Sequence, residues 1–341
     1  MKRLFLATAL LAAASGCSST TLPDDAAVAR AQGFASGVQQ SRLMEDVTAL
    51  TDGHLKETPF DCHLFNYDLV SLKDVGMPTC DLSRQSAQNL IRERFQQLGY
   101  TVSVDQFDDA SFPTSNIVAE LPGKVHPEEI VVVAAHYDAF FAGADDNSSG
   151  VAAMLELAKL AAGKNFARTV RFIGFDHEEF GNIGSARYVR TRTQEKIVTA
   201  LVFDAVGYTD RRPDSQKGLP GVMTPTTGDF VAVIGNEDSR PHVEEVMALA
   251  QHLGQEVPPA IGAISPGVGV GPLAFNLTRS DHASFWMVGL NALFFTDTAT
   301  FRSPHYHKAT DTVSTLDPEF FAGVTRLAAG SLSYWAEGPL P

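Results

Sequence analysis

The run of residues 129–135 constrains the fold of this chain more than any other segment. Six apolar residues follow Glu129 without interruption, and His136 comes directly after them. An apolar run of this length without alternation is typical of a strand that is buried on both faces, as in a parallel sheet covered by helices. The sequence therefore predicts an α/β fold with a mostly parallel central sheet flanked by helices in three layers.

Other segments fit the same architecture. Apolar or alternating patterns predict strands over residues 100–107, 115–121, 170–175, 199–203, 230–234 and 292–295. Helical spacing of apolar residues predicts helices over residues 87–98, 151–162, 241–253 and 318–335, with Ser86 and Ser148 or Ser149 as N-caps. Two segments rich in Gly and Pro, residues 209–228 and 258–272, are predicted to be loop insertions at the rim of the sheet.

The first residues are typical of an export signal. Lys2 and Arg3 precede an apolar run, which is shorter than the roughly 20 residues that a membrane span needs. The sequence from Ala14 to Cys17 resembles a bacterial lipobox, although Leu is more usual than Ala14. We therefore expect a lipoprotein signal peptide at 1–16, a lipid anchor on Cys17, a flexible tether at 17–40 and a single domain at 41–341. Ser18 favours the periplasmic side of the outer membrane in the cell envelope, and ordinary secretion is the alternative.

Charge and cysteine content narrow the possible partners. The formal net charge of −14 argues against binding to nucleic acid. Apart from Cys17, the chain contains only Cys62 and Cys80. In an oxidising compartment these two most simply form an intramolecular disulfide, and a zinc site that uses them with His63 is the weaker alternative.

Metal-binding residue types recur in loops and at the ends of predicted strands. Since the carboxyl ends of parallel strands share one rim, such residues can converge although they are remote in sequence. Two imidazoles and three carboxylates suit one or two divalent cations, and zinc is the natural choice. The predicted ligands are His136, Asp146, Glu179, Asp204 and His307.

Neighbouring residues suggest supporting roles. Asp138 is close enough to orient the imidazole of His136, and Glu178 can act as a base beside a metal ligand. Asp311 can steady the segment around His307, for which His305 is a rival ligand. Each motif taken alone also has an ordinary structural explanation. Residues 143–150 could be an acidic helix cap, and Asp204 could be a turn residue at a strand end.

Taken together, these segments resemble peptidase family M28, the zinc exopeptidases. The pattern appears in order as His-x-Asp, Gly-Ala-x-Asp-Asn-x-x-Gly, Glu-Glu-x-Gly with Gly-Ser behind it, Asp after a strand, and Tyr-His followed by Asp-Thr. The residues that carry it are His136, Asp138, 143–150, Glu178, Glu179, Gly181, Gly184, Ser185, Asp204, Tyr306, His307, Asp311 and Thr312, with Arg279-Ser280-Asp281-His282 and 114–123 adding to the resemblance.

The resemblance implies a specific role for each of these residues. Asp146 would bridge two zinc ions, one completed by His136 and Asp204 and the other by Glu179 and His307, which is favoured over His305. Glu178 would be the general base, and Tyr306 would donate to the developing oxyanion. The expected activity is removal of the N-terminal residue from peptides. The alternatives are a carboxypeptidase or dipeptidase of the same family, a glutaminyl-cyclase-like acyltransferase with a single zinc, and a binding protein without metal.

The lipid anchor can be tested on the mature protein. We expect mass spectrometry of protein purified from bacterial membranes to identify Cys17 as the first residue and to show the added mass of its lipid. A soluble protein with an unmodified N-terminus would rule out the anchor and support secretion.

Overall fold

The computed structural model describes residues 25–57, 81–108, 112–218, 224–268 and 275–337. The predicted signal peptide, Cys17 and the Cys62–Cys80 pair lie outside these ranges and remain predictions. Within these ranges, no helix has the length and apolar character that crossing a membrane requires.

A single sheet of eight strands forms the centre of the described structure, in the order β1-β2-β4-β3-β5-β8-β6-β7. The strands are β1 (Thr101–Phe107), β2 (Thr114–Leu121), β3 (His126–His136), β4 (Arg168–Phe175), β5 (Lys196–Phe203), β6 (Val231–Asn236), β7 (Ala260–Ser265) and β8 (Ala292–Thr296).

The parallel part of the sheet is its centre. Strands β4, β3, β5 and β8 lie side by side and run in the same direction. Antiparallel pairing attaches β1 and β2 at one side and β6 at the other, and β7 then pairs parallel to β6. The predicted helix-covered α/β sheet is confirmed, as a mixed sheet whose parallel pairings are concentrated in the centre.

Helices cover both faces of the sheet. The described helices are α1 (Asp25–Ala35), α2 (Gln40–Glu57), α3 (Asp81–Gln97), α4 (Gly150–Ala161), α5 (Ile183–Arg190), α6 (Arg240–Leu253), α7 (His282–Met287) and α8 (Pro318–Glu337). The larger apolar cluster packs one face of the sheet against α1–α4, α6 and α8. The smaller cluster packs the other face against α5 and α7.

Strand β3 shows why its sequence has no polar alternation. Val131, Val133 and Ala135 belong to the larger apolar cluster, whereas Val132 and Ala134 belong to the smaller one. All five side chains are fully buried. Because helices cover both faces, either face of this strand requires apolar residues.

Some predicted elements differ from the structure. The segment 258–272, predicted to be a loop, contains β7, and α3 begins at Asp81 rather than after Ser86. Ser149 precedes α4 without capping it through its side chain. Its hydroxyl instead donates to the Asp145 carbonyl and accepts from the Val206 amide. The serine before the helix therefore indicated where the helix begins, but not which groups the serine side chain contacts.

The segment predicted to be a flexible tether, residues 17–40, also differs where it is described. Helix α1 lies within it, and Ala31 and Ala35 are fully buried. The ring of Phe34 contacts that of Phe166, just before β4, with centroids 5.7 Å apart. From Asp25 onward this segment is therefore part of the packed structure rather than a free linker, because Phe34 and Ala35 belong to the larger apolar cluster.

The packing of α1 gives a test of this difference. We expect Phe34→Ala to lower the free energy of unfolding by about 3 kcal/mol, because it leaves a cavity beside Phe166. Leu55→Ala on α2 is the control, since Leu55 is 53% exposed, and its effect should stay below about 0.5 kcal/mol. Urea unfolding of both variants measures the difference. Equal stability of the two variants would mean that α1 is detached.

Candidate metal centre

The predicted metal-binding residues come together at the carboxyl ends of the central parallel strands. His136 is the last residue of β3, and Asp204 directly follows β5. Glu178 and Glu179 lie in the turn after β4, and His307 lies in the segment that follows β8. The topology of the sheet therefore places on one rim residues that are far apart in the sequence.

One half of the cluster is centred on His136, which is fully buried. Its Nε2 atom lies 3.6 Å from Asp146 Oδ1 and 3.6 Å from Asp204 Oδ2. Glu178 Oε2 lies 4.0 Å from the same nitrogen. Three carboxylates thus surround one imidazole nitrogen.

The other half is centred on His307, whose side chain is 20% exposed. Its Nε2 atom lies 2.9 Å from Asp146 Oδ2 and 3.1 Å from Glu179 Oε2. Asp146 therefore contributes one carboxylate oxygen to each half. The five residues predicted as ligands form two adjoining groups with Asp146 in common.

His305, the rival for His307, belongs to a different environment. Its Nδ1 atom lies 3.0 Å from the Thr310 hydroxyl, and its ring contacts the ring of Tyr208. Neither partner is one of the clustered residues. The geometry therefore brings His307 into the cluster and leaves His305 outside it.

Asp138 holds both glutamates through their backbone. Its two carboxylate oxygens accept hydrogen bonds from the amides of Glu178 and Glu179, at 3.0 Å and 3.1 Å. The His136 ring is oriented mainly by the Asp138 carbonyl, 3.0 Å from Nδ1, while the carboxylate lies 3.5 Å away. Asp138 thus supports three residues of the cluster, and the sequence suggested only its contact with the histidine.

Asp311 holds the loop that carries Asp146 in the same way, through backbone amides. Its carboxylate accepts from the amides of Asp145 and Asp146, at 3.0 Å and 3.1 Å. Although 165 residues separate Asp146 from Asp311, the hydrogen bond to the Asp146 amide fixes the position of the Asp146 carboxylate, which both halves of the cluster share. The expectation that Asp311 steadies this region fits this contact, but its partner was not readable from the sequence.

Asn147 connects two of the central strands, a role that sequence reasoning missed. Its side-chain amide donates to the carbonyls of Phe203 at the end of β5, at 2.9 Å, and of His136 at the end of β3, at 3.4 Å. Its oxygen accepts from the amides of Gly150 and Ala205. The peptide bond that precedes it is cis. A side chain at Gly150 would collide with Asn147, since a Cβ atom would lie 2.3 Å from its amide oxygen.

The cluster contains four carboxylates and two imidazoles, so acidic groups are in excess. Burial raises the pKa of Glu178 well above its ordinary value, and burial together with Asp146 raises the pKa of Glu179 to about 8. Burial favours a lower pKa for His307, but Glu179 and Asp146 outweigh it and raise the pKa to about 10. Each shift has the direction that reduces net negative charge, so bound cations would be favourable here.

The donor set fits zinc. The ligand atoms of His136, Asp146 and Glu179 lie within 4.8 Å of one another, and so do those of His136, Glu178 and Asp204. His136 Nε2 is buried and has no hydrogen-bond partner among the residues that the structure describes. A buried imidazole nitrogen that faces carboxylates at 3.6 Å has the chemistry of a metal ligand, since zinc binds imidazole nitrogen and carboxylate oxygen.

Aromatic and basic side chains line the more exposed side of the cluster. The Tyr306 ring stacks on the His307 ring, with centroids 3.8 Å apart and planes at 17°, and the Phe140 ring lies 4.5 Å from the same imidazole. The exposed Arg279 donates a hydrogen bond to the Tyr306 hydroxyl at 3.2 Å. Sequence reasoning singled out Tyr306 and assigned no role to Arg279 or Phe140, since single aromatic and basic residues carry no pattern.

Comparison with known proteins places this site in a family. The model of peptidase family M28 matches residues 116–332, which is more than half of the chain. The uncharacterized protein YfbL of Escherichia coli is 30% identical over 253 residues, which cover 69% of this chain and 75% of that protein. Aminopeptidase YwaD of Bacillus subtilis is 32% identical over 139 residues, 39% of this chain and 29% of that longer protein.

Solved structures share the fold. The LapA aminopeptidase of Legionella pneumophila superposes with a TM-score of 0.64 at 18% identity, covering 90% of this chain and 74% of that one. A glutaminyl cyclase from Porphyromonas gingivalis superposes with a TM-score of 0.60 at 14% identity, covering 86% of this chain and 98% of that one. At these identities the likeness concerns the fold alone.

The family match covers all eight proposed metal and catalytic positions, from His136 to His307. The residue types at these positions are the nitrogen and oxygen donors that a catalytic zinc site requires. We conclude that the chain belongs to peptidase family M28 and is a zinc metallopeptidase.

Proposed function

We propose that this protein is an aminopeptidase whose centre holds two zinc ions that share Asp146. The observation that carries the proposal is the position of the Asp146 carboxylate between two imidazoles, with Oδ1 facing His136 and Oδ2 facing His307. Asp204 would complete the first zinc site and Glu179 the second, since each lies against the imidazole of its own half. A carboxylate that presents one oxygen to each side suits a bridging ligand.

When bound, zinc would supply Lewis acidity for the scissile carbonyl and for the attacking water. Glu178 would accept the proton of that water and deliver it to the departing amine. Its carboxylate lies 4.0 Å from His136 Nε2, farther than those of Asp146 and Asp204 at 3.6 Å, and Asn182 Nδ2 donates to Oε1 at 3.3 Å.

The relatives and the donor chemistry support action at the N-terminus of a peptide. Aminopeptidase activity is named for YwaD and for LapA. A free α-amino group next to the scissile carbonyl could bind a zinc ion as a nitrogen ligand, and only the N-terminal residue of a peptide carries such a group. Carboxypeptidase and dipeptidase action are the closest alternatives.

Cyclisation of N-terminal glutamine is a second candidate, since a glutaminyl cyclase shares the fold. That reaction needs a single metal, for which one half of the cluster would suffice. The second half, His136 with Asp204, is fully present and buried. The complete pair of ligand groups therefore favours hydrolysis.

The roles of Glu178 and Asp146 can be separated by substitution. We expect Glu178→Gln to retain zinc and to lose turnover by at least roughly 100-fold, because it removes the base and no ligand. Asp146→Ala should lose both zinc and activity. Metal content by mass spectrometry and kcat on a leucyl anilide measure the two effects, with Glu244→Gln on the exposed side of α6 as the matched control. Near-normal turnover in Glu178→Gln would show that another group is the base.

The direction of attack can be tested with matched peptides. We expect Leu-Gly-Gly and its C-terminal amide to be hydrolysed at similar rates, and N-acetyl-Leu-Gly-Gly to resist hydrolysis, because acetylation removes the free α-amino group. A chelator should abolish activity, and added zinc should restore it. Hydrolysis of the acetylated peptide from its C-terminus would support a carboxypeptidase. Ring closure of a Gln-initiated peptide would support the cyclase.

A further inference from the structure

We propose that Arg279 is a positioning residue of this centre, which through its hydrogen bond to the Tyr306 hydroxyl aims that hydroxyl at the oxygen of the carbonyl under attack. The proposal rests on the peptidase function and on Tyr306 as the oxyanion donor. It adds a role for a charged side chain that belongs to neither group of ligands.

The direction of the hydrogen bond follows from the chemistry of the two groups. A guanidinium has donors and no acceptor, so the Tyr306 oxygen must accept in its 3.2 Å bond with Arg279. This bond occupies the acceptor side of the hydroxyl. The hydroxyl hydrogen therefore points away from Arg279 and remains available to another acceptor.

The plane of the tyrosine ring is fixed as well. It stacks on His307 at 17° between planes, and Asp146 and Glu179 hold the His307 imidazole at 2.9 Å and 3.1 Å. A phenolic hydrogen prefers the plane of its ring. The bond from Arg279 therefore disfavours a hydrogen on the side of the guanidinium before any substrate arrives. Such preorganised donors are what stabilises a developing oxyanion.

Arg279 has a second, electrostatic effect on an oxygen bound to the Tyr306 hydroxyl, because carboxylates lie nearby. Tyr306 stacks on His307, and the carboxylates of Asp146 and Glu179 contact that imidazole. The guanidinium lies 5.8 Å from the centre of the Tyr306 ring. Its charge offsets the nearby carboxylates, which would otherwise disfavour negative charge on an oxygen bound to Tyr306.

A different role for Arg279 would have a different kinetic signature. Arg279 is exposed, so its other donors could bind a carboxylate of the substrate directly. Direct binding would change KM for substrates that carry the carboxylate, and the change would persist without the Tyr306 hydroxyl. Action through Tyr306 would change kcat, and its effect would vanish once the hydroxyl is removed.

A double-mutant cycle on the zinc-loaded enzyme separates these roles. We expect Arg279→Gln to lower kcat on a leucyl anilide, which has no carboxylate, by roughly tenfold with KM within about twofold. Tyr306→Phe should lower kcat by roughly 100-fold, and the double variant should match Tyr306→Phe alone. Arg240→Gln at the start of α6, which breaks an exposed pair with Glu237 in the preceding turn, is the control and should behave like the wild type. Multiplicative effects in the double variant, or a change confined to KM, would overturn the proposal.

Binding of a tetrahedral inhibitor gives a readout that does not depend on turnover. We expect Arg279→Gln to weaken an aminoalkyl boronic acid about as much as it lowers kcat/KM, and to leave the affinity for the product leucine unchanged. Equal weakening of both compounds would overturn the proposal, since it would mean general damage to the site. A wild-type protein without zinc-dependent hydrolysis would overturn the proposed function as well, so the two failures are distinguishable.

Discussion

The burial of several carboxylates at one rim of the sheet is the constraint on which the structure of this site depends. Asp146, Glu178, Glu179 and Asp204 are each less than 10% exposed and face two imidazoles. Repulsion among buried carboxylates is costly, and protons or cations must offset it. These carboxylates stay close together only because the backbone of each acidic residue is held rigidly. Binding of divalent cations explains why so many carboxylates are buried at one place.

Two further buried aspartates provide that rigidity. Asp138 binds the amides of both glutamates, and Asp311 binds the amides of Asp145 and Asp146. In each case a carboxylate accepts two neighbouring backbone hydrogen bonds, so it holds a turn as well as a single side chain. The hydrogen bonds also satisfy both carboxylate oxygens, which makes their own burial tolerable. Ligand positions that must agree within a fraction of an ångström thus depend on residues that need not touch a metal.

Much of this arrangement could be predicted from the sequence, for a physical reason. A buried parallel strand has an unmistakable apolar pattern, and its carboxyl end leads to the shared rim, so His136 and Asp204 could be placed from their positions alone. Helix α1 and strand β7 could not, because Ala- and Gly-rich segments carry weak patterns and depend on tertiary packing. Contacts such as Asn147 with Phe203 or Arg279 with Tyr306 join separate segments. No local spacing encodes them.

Whether the centre hydrolyses peptides or cyclises glutamine depends on the residues of the site more than on the fold. An aminopeptidase and a glutaminyl cyclase superpose on this chain almost equally well, with TM-scores of 0.64 and 0.60, so architecture alone does not separate hydrolysis from cyclisation. The difference must lie in how many imidazole–carboxylate groups remain and in what surrounds the carbonyl oxygen. His136 with Asp204 forms a second group, and the Tyr306 hydroxyl, which accepts a hydrogen bond from Arg279, is the proposed donor to that oxygen. Water activation needs a strong Lewis acid and a base, whereas ring closure uses a nucleophile that the substrate already carries. A site with a second imidazole–carboxylate group has more ligand groups than the single metal of cyclisation requires, and that surplus favours the proposed hydrolysis.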